Sequence, residues 1–278
     1  MRNTFYQNIF FNTNKSTVYP FKVVSFDINS IVKPISNINP NTTSIIKSLN
    51  KMKLSNIDMT DIETTTKIVK VLNKYSGYSM INQLKYVSYD TEENPLYNIF
   101  ECGRIYDSKI LDDIYEMSKI HLQEIYSDKN YYLVNPYLKE ILRYLKYIGF
   151  VNFCVTSNND KISTNILVEK LIANKTIPDT IIHKEHSNIF KYNGIKPYEC
   201  VHIGSYPSNM IESDIYGSLS IGLLDNIEPR IIKHKRIDMY KYGAQYVITD
   251  VRTLFDIFSF NKSSYYGSVY EWYNTNKK

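Results

Sequence analysis

Cysteine is scarce in this chain, and no two cysteines are close enough in sequence to suggest a shared metal ion. The 278 residues include three cysteines, Cys102, Cys154 and Cys200, with no CxxC pair. An odd count without a secretory signal favours reduced thiols and predicts a cytoplasmic protein. Cys154 and Cys200 lie in apolar runs, so we expect them to be buried packing residues.

Long apolar runs and concentrated stripes of one charge are also missing. No apolar stretch is long enough to span a membrane. The net charge is +5, and the basic residues are spread along the chain apart from a small cluster at Lys233, Lys235 and Arg236. A nucleic-acid footprint needs a more concentrated basic surface. We therefore predict neither a membrane nor a nucleic acid as a partner.

The first 20 residues lack both acidic side chains and a clear apolar period. We interpret residues 1–20 as a disordered leader, which is the usual state of an unpatterned polar terminus. A short organellar import segment is the alternative, because Arg2 and Lys15 are basic and no acid precedes Asp27.

Strand-like and helix-like segments alternate along the rest of the chain. A β-branched run at 21–27 ends in Asp27, and further short apolar runs lie at 150–156, 180–182, 200–203, 220–224 and 243–249. Strands that alternate with helices are typical of an α/β fold with a Rossmann-like parallel sheet. The mainly helical stretch at 35–130 falls between the first two strands. It predicts a helical cap inserted into an α/β core of residues 21–34 and 131–278.

Polar residues follow the predicted strands, and the carboxyl ends of parallel strands carry the active site in such sheets. A carboxylate there can attack a phosphoryl group. A hydroxyl and a lysine can hold the oxygens of that group, and further carboxylates can bind a divalent cation. The residues in question are Asp27, Asn29, Ser157, Asn158, Lys184 and Asp214.

Four segments, in order, resemble the motifs of the haloacid-dehalogenase-like (HAD) hydrolase superfamily. They are FDINS at 26–30, SNND at 157–160, Lys184 with the following Ile189-Phe190, and GIKPYECVHIG at 194–204 with its continuation to Gly222. The resemblance covers roughly residues 21–258 and is weak across the cap. It implies an Asp27 nucleophile, phosphoryl binding by Ser157, Asn158 and Lys184, and Mg²⁺ held by Asp27 and Asp214.

Three positions depart from the pattern of the family's phosphatases. Those enzymes have a second Asp two residues after the nucleophile, as general acid and base, whereas Asn29 cannot transfer a proton. Ile31 replaces a hydroxyl residue, and Ser205 replaces the Asp that follows the glycine of the fourth motif. The segment from Ser205 to Asp214 is also about four residues longer than the corresponding segment in the family.

Two hypotheses remain open. The first is a weak Mg²⁺-dependent phosphatase of a small phosphorylated metabolite, acting through an aspartyl-phosphate on Asp27. A metal-free, dehalogenase-type reaction is a minor variant of it, since such relatives also lack the second Asp. The alternative is an inactive pseudoenzyme that binds a ligand or a protein partner. An unrelated α/β fold is the remaining interpretation.

Overall fold

The chain forms two compact units. One comprises Met1–Ile31, Val134–Thr156 and Lys175–Lys278, and the other comprises Val32–Leu133 and Ser157–Asn174. The computed structural model describes residues 21–34, 39–52, 58–89, 108–128, 132–156, 161–173, 177, 181–183, 186–191, 194–225 and 229–260.

Strands and helices alternate in the described residues. The strands are Val23–Asp27 (β1), Val32–Pro34 (β2), Tyr132–Val134 (β3), Val151–Val155 (β4), Ile181–His183 (β5), Cys200–Gly204 (β6), Leu219–Leu223 (β7) and Tyr246–Ile248 (β8). The helices are Ile28–Ile31 (α1), Pro40–Met52 (α2), Ile62–Lys74 (α3), Met80–Tyr89 (α4), Ser108–Ser127 (α5), Leu138–Tyr147 (α6), Lys161–Ala173 (α7), Ser187–Phe190 (α8), Pro207–Tyr216 (α9), Pro229–Lys241 (α10) and Thr253–Phe260 (α11).

A six-stranded parallel sheet is the centre of the first unit. Its strand order is β5-β4-β1-β6-β7-β8. The order reverses between β1 and β6, and in open α/β sheets a crevice for ligands lies outside the carboxyl ends of the strands at such a point. Every residue of β1 and of β6 is buried. Strands that are buried on both faces of a sheet need near-continuous apolar runs, which the sequence has here.

Helices cover the sheet through apolar faces with helical spacing. In α6, Leu138, Ile141, Leu142 and Leu145 are all buried, at the i, i+3, i+4 and i+7 positions of one face. Gly149, at φ 91°, then allows the chain to turn from α6 into β4. Burial of such side chains supplies about 1.5–3 kcal/mol each.

Two histidines form a buried polar cluster on one face of this sheet. Ser25 Oγ on β1 lies 2.8 Å from His202 Nδ1 on β6, and the rings of His202 and His186 are 4.3 Å apart. Both histidines and Cys200 are fully buried. Burial lowers the pKa of His186 to about 4 and holds that of His202 well below its usual range. The cluster therefore contributes neutral packing groups.

The second unit contains α2, α3, α4, α5 and α7. Asp61 caps α3 by accepting hydrogen bonds from the backbone amides of Glu63 and Thr64. Lys170 of α7 donates from Nζ to the carbonyl oxygens of Tyr126 (3.0 Å) and Ser127 (2.6 Å) at the end of α5. These contacts, which satisfy otherwise unpaired carbonyls, join α7 to the inserted helices, whereas the sequence analysis places this segment in the α/β core.

The predicted fold class is confirmed: a parallel α/β sheet carries a helical insertion after its first strand. The described residues also bear out the buried thiols of Cys154 and Cys200, while residues 1–20 and Cys102 lie outside the described part. None of the described helices has the length and apolar character that a membrane crossing needs.

Candidate functional site

Asp27 is the last residue of β1, next to the point where the strand order reverses. Its side chain is fully buried. Oδ1 accepts a hydrogen bond from the backbone amide of Asn29 at 2.9 Å. No described group meets hydrogen-bond geometry with Oδ2, which is also buried. One carboxyl oxygen is thus held by the turn, and the other is available to a ligand.

The surroundings of Asp27 favour its protonated form more than those of an ordinary aspartate. Burial raises the pKa of this carboxyl to about 7. The hydrogen bonds from Asn29 lower the pKa and limit the increase, the negative charge of Glu212 raises it further, and the amide of Asn209 lowers it slightly. Near neutral pH, Asp27 is therefore divided between a carboxylate and a neutral carboxyl group.

The turn after Asp27 is fixed by a hydroxyl group. Ser30 Oγ donates to the carbonyl oxygen of Asp27 at 2.6 Å and lies 3.3 Å from that of Ile203. Ile31 is buried and offers no polar atom. Asn29 remains partly exposed beside the carboxyl, so it is positioned to contact a ligand but not to exchange a proton with it.

Asn209 is brought to Asp27 by a close approach between β6 and α9. A Cβ on Gly204 would lie 2.4 Å from Asn209 Cβ, so only glycine fits there. Asn209 is fully buried, and its Oδ1 accepts a hydrogen bond from the backbone amide of Tyr206 at 3.1 Å. Nδ2 is buried and meets hydrogen-bond geometry with no described group, although the amide is close enough to Asp27 to lower the pKa of its carboxyl.

Ser205 adds a third unpaired polar atom at the same end of the neighbouring strands β1 and β6. Its Oγ is buried and makes no hydrogen bond to a described group, like Asp27 Oδ2 and Asn209 Nδ2. A buried polar atom without a partner costs about 1–3 kcal/mol. Three such atoms at one place are typical of a position that water or a ligand completes.

Asp214 does not join this group. It is exposed, and it lies five residues after Asn209, about 7.5 Å further along the axis of α9. Its Cβ is 3.2 Å from where a Cβ on Gly243 would be, just before β8. Asp214 is thus displaced toward the amino-terminal edge of the sheet. Glu212 is the acid of this helix whose charge acts on Asp27.

Ser157, Asn158 and Lys184 lie outside the described residues, so their phosphoryl-binding roles stay predictions. Sequence reasoning missed Asn209 and Glu212. The available signal was Pro207, which is favoured in the first turn of a helix and places Asn209 in that turn, at the ends of the strands.

The described residues around Asp27 offer few of the oxygen ligands that Mg²⁺ prefers. Mg²⁺ is usually held through one or two carboxylates in a strict octahedral geometry. Beside Asp27, the side chains of Asn29, Ser205 and Asn209 are neutral, and the charge of one further acid, Glu212, acts on its carboxyl. In the described part of the chain, no group of three or more His, Cys, Asp or Glu side chains could hold a metal.

Comparisons with known proteins agree on the fold. No protein-family model matches the sequence, and no curated protein matches it. Solved structures do match. A phosphonoacetaldehyde hydrolase-like protein from Oleispira antarctica superimposes with a TM-score of 0.63 and 12% identity, over 88% of this chain and 95% of that one.

Two further solved structures are similar over comparable lengths. A predicted phosphoglycolate phosphatase from Haemophilus somnus has a TM-score of 0.57 and 13% identity, over 86% of this chain and 98% of that one. A HAD family hydrolase from Deinococcus radiodurans, solved with bound phosphate and sodium, has a TM-score of 0.53 and 15% identity, over 87% and 97%. At these identities the likeness is one of architecture: this chain shares the fold of these solved hydrolases.

Proposed function

We propose that this protein is a HAD-fold module that binds a small phosphorylated ligand and no longer carries out metal-dependent phosphoryl transfer. The observation that carries the proposal is the set of neutral polar side chains, Asn29, Ser205 and Asn209, at the buried Asp27. By the resemblance, Asn29 and Ser205 stand where the family's phosphatases have groups that move a proton or hold a cation. The polar atoms that remain are suited to hydrogen bonding.

Loss of proton transfer argues against efficient turnover. A positioned general acid or base contributes about 10²–10⁴-fold to a rate, and Asn29 cannot take that role. Attack also requires an ionised Asp27, because the carboxylate is the nucleophile. Its burial raises the pKa to about 7, so the carboxylate is disfavoured compared with that of an ordinary aspartate. Both effects slow a covalent step at the same residue.

The same atoms can bind a phosphate group. Asn209 Nδ2 and Ser205 Oγ are hydrogen-bond donors without described partners, and a protonated Asp27 is a third donor through its hydroxyl. Phosphate oxygens accept such bonds. The HAD family hydrolase from D. radiodurans holds phosphate, so the fold can accept this group. Ser157, Asn158 and Lys184 are predicted to complete the contacts.

Binding of this kind is linked to the protonation of Asp27. Above its pKa, the ionised carboxyl would repel the ligand, and Glu212 would add to the repulsion. We expect the affinity for inorganic phosphate to fall by up to about tenfold per pH unit above pH 7 through this group. Asp27→Asn should keep phosphate binding and should remove that part of the pH dependence, because an amide does not titrate.

The experiment is isothermal titration of inorganic phosphate into wild type and Asp27→Asn at pH 6, 7 and 8. The variant corrects for the titration of phosphate itself. The proposal predicts that the wild type loses affinity more steeply than the variant between pH 7 and 8. It is wrong if Asp27→Asn abolishes binding, if the two pH profiles coincide, or if neither protein binds phosphate.

A slow hydrolase is the second candidate, favoured by the unpaired Oδ2 of Asp27, which has no described partner that would block attack. On this hypothesis, Asn29→Asp with Ser205→Asp should increase hydrolysis of an aryl phosphate, by about 10²-fold from acid–base chemistry. Adding Asp27→Asn should abolish the gain. If the folded double variant has no turnover, this candidate is excluded.

A further inference from the structure

The exposed side of α10 carries a basic stripe with an isoleucine at its centre. Lys233, Ile237 and Lys241 follow one another at intervals of four residues, so they share one face of the helix. All three are exposed, and Ile237 has 55% of its surface accessible. On the other side, Met239 fixes the helix to the apolar cluster that includes Met210. We call Lys233, Ile237 and Lys241 the basic stripe.

The exposed side of α5 carries the matching pattern with the opposite charge. Glu116, Ile120 and Glu124 are also spaced by four residues, and all three are exposed. Ile120 has 57% of its surface accessible, whereas Leu122 on the opposite side is fully buried. We call Glu116, Ile120 and Glu124 the acidic stripe. The two stripes lie in different units of the chain.

The stripes are complementary position by position. In each helix, four residues rise about 6 Å, so the two outer charges are about 12 Å apart with the isoleucine midway. Because each stripe is symmetric about its isoleucine, parallel and antiparallel alignments both pair opposite charges. Contact would bury two isoleucines that are otherwise exposed to water.

From this match we infer that the protein self-associates, with the basic stripe of one copy against the acidic stripe of a second copy. Each copy offers both stripes, so each copy can take either side of the contact. The contact does not depend on the ligand or the chemistry of the Asp27 site.

Local ion pairs on α5 do not prevent this contact. Glu116 lies 2.7 Å from Lys119 Nζ, and Glu124 lies 3.0 Å from His121 Nδ1. The carboxylates of both pairs are well exposed, and exposed pairs are weak and screened by salt. They hold the acidic stripe in place on the helix and can exchange for the lysines of another copy.

Other partners explain less of the pattern. A membrane surface could meet the lysines and the exposed Ile237 of α10. A nucleic acid would pair with Lys233 and Lys241, yet it would leave Ile237 exposed. Neither accounts for the acidic stripe on α5, whereas a second copy accounts for both surfaces.

The experiment is a charge exchange followed by sedimentation velocity over a range of concentrations and salt. One variant is Lys233→Glu with Lys241→Glu, and the other is Glu116→Lys with Glu124→Lys. Each should weaken self-association on the order of tenfold or more, since like charges then oppose each other at two positions. Salt should weaken the wild-type association in the same direction.

Restoring opposite charges on the two stripes distinguishes a specific contact from a general effect of net charge. The chain that carries all four substitutions should associate again, and so should an equimolar mixture of the two variants, because opposite charges face each other in both. The matched control is Lys70→Glu with Lys74→Glu, which makes the same change on exposed residues of α3 and should leave association unchanged. Circular dichroism verifies that each variant is folded.

Three results would overturn the inference. The wild type could remain a monomer at every concentration and salt. It could associate without any response to either pair of substitutions. The exchanged chain and the mixture could both stay monomeric although each variant is folded, which would mean that the stripes do not face each other.

Discussion

The amide of Asn209 lies beside the carboxyl of Asp27, and both side chains are fully buried. The pair is held by the contact between Gly204 and Asn209 and by the turn that binds Asp27 Oδ1 to the backbone amide of Asn29. A carboxyl beside a neutral amide keeps a proton far more readily than one beside a cation. Burial raises the pKa of Asp27 to about 7, and the amide of Asn209 lowers it only slightly.

Asp27 should destabilise the folded protein near and above neutral pH. Its pKa is about 7 when folded and near 3.8 when unfolded, so the folded state retains a proton that the unfolded state has lost. Stability is therefore lost as the pH rises from about 4 to about 7. Asp27→Asn should add up to about 4 kcal/mol to the free energy of unfolding at pH 8, and less than half of that at pH 5. Urea unfolding at both pH values measures the difference; an equal effect at the two would contradict the buried carboxyl.

His186 should destabilise the folded protein at low pH, whereas Asp27 does so at high pH. Burial lowers its pKa from 6.5 to about 4, so the neutral ring is favoured in the folded state. The stability present above pH 6.5 is lost as the pH falls toward 4. His186→Phe should remove about 2 kcal/mol of the loss in unfolding free energy between pH 7 and pH 5. Urea unfolding of the wild type and the variant at these two pH values measures this difference. Equal changes in unfolding free energy for the two proteins would contradict the lowered pKa of His186.

Gly204 should tolerate a methyl group less well than Gly222. A Cβ there would lie 2.4 Å from Asn209 Cβ, whereas at Gly222 it would meet the flexible side chain of Met239 at 3.3 Å. Overpacking in a dense interior costs about 1–3 kcal/mol. We expect Gly204→Ala to lower the free energy of unfolding by the upper part of that range and Gly222→Ala to lower it less. Chemical denaturation of the two variants gives the comparison, and the reverse order would contradict the close approach.

The apolar runs in the sequence were enough to predict the sheet and to place Asp27 at its edge. Each run fills a strand that is buried on both faces, and such strands leave a continuous apolar signature. The role of Asn209 could not be predicted in the same way. Its importance depends on the close approach of Asn209 to Gly204, which is set by packing and not by sequence spacing. The sequence reasoning therefore chose Asp214, the next acid that matched the motif, although it lies further along the helix.

The packing of α7 against the inserted helices could not be predicted from the sequence either. Its apolar and polar residues are typical of a helix that covers a sheet, and it follows β4 directly. The contact that joins it to the inserted helices is made by Lys170 with two carbonyl oxygens at the end of α5. A lysine on a helix surface is usually solvated, so nothing in the local pattern distinguishes this one.

Replacing neutral groups beside Asp27 by carboxylates should create a stronger cation site than the described residues offer. Asn209→Asp with Ser205→Asp would add two oxygen ligands of the kind Mg²⁺ prefers beside Asp27. We expect about 10 mM Mg²⁺ to raise the melting temperature of this variant and to leave that of the wild type unchanged. An ion that binds only the folded state stabilises it.

Asp214→Asn is the matched control for that experiment. Asp214 lies further along α9 beside Gly243, so its loss should leave the response of the double variant to Mg²⁺ unchanged. If Asp214→Asn abolishes the stabilisation, the side chain reaches the site and its placement away from Asp27 is wrong. If the wild type already responds to Mg²⁺, the neutral residues do form a cation site.

The most direct test of the central claim is the rate at which the purified wild-type chain hydrolyses an aryl phosphate with and without Mg²⁺, measured beside Asp27→Asn. A module that binds phosphate without phosphoryl transfer should give the same background rate in all samples. Hydrolysis that requires Mg²⁺ and disappears in Asp27→Asn would contradict the account, because it would require an ionised Asp27 and a bound cation at a site whose described residues favour neither.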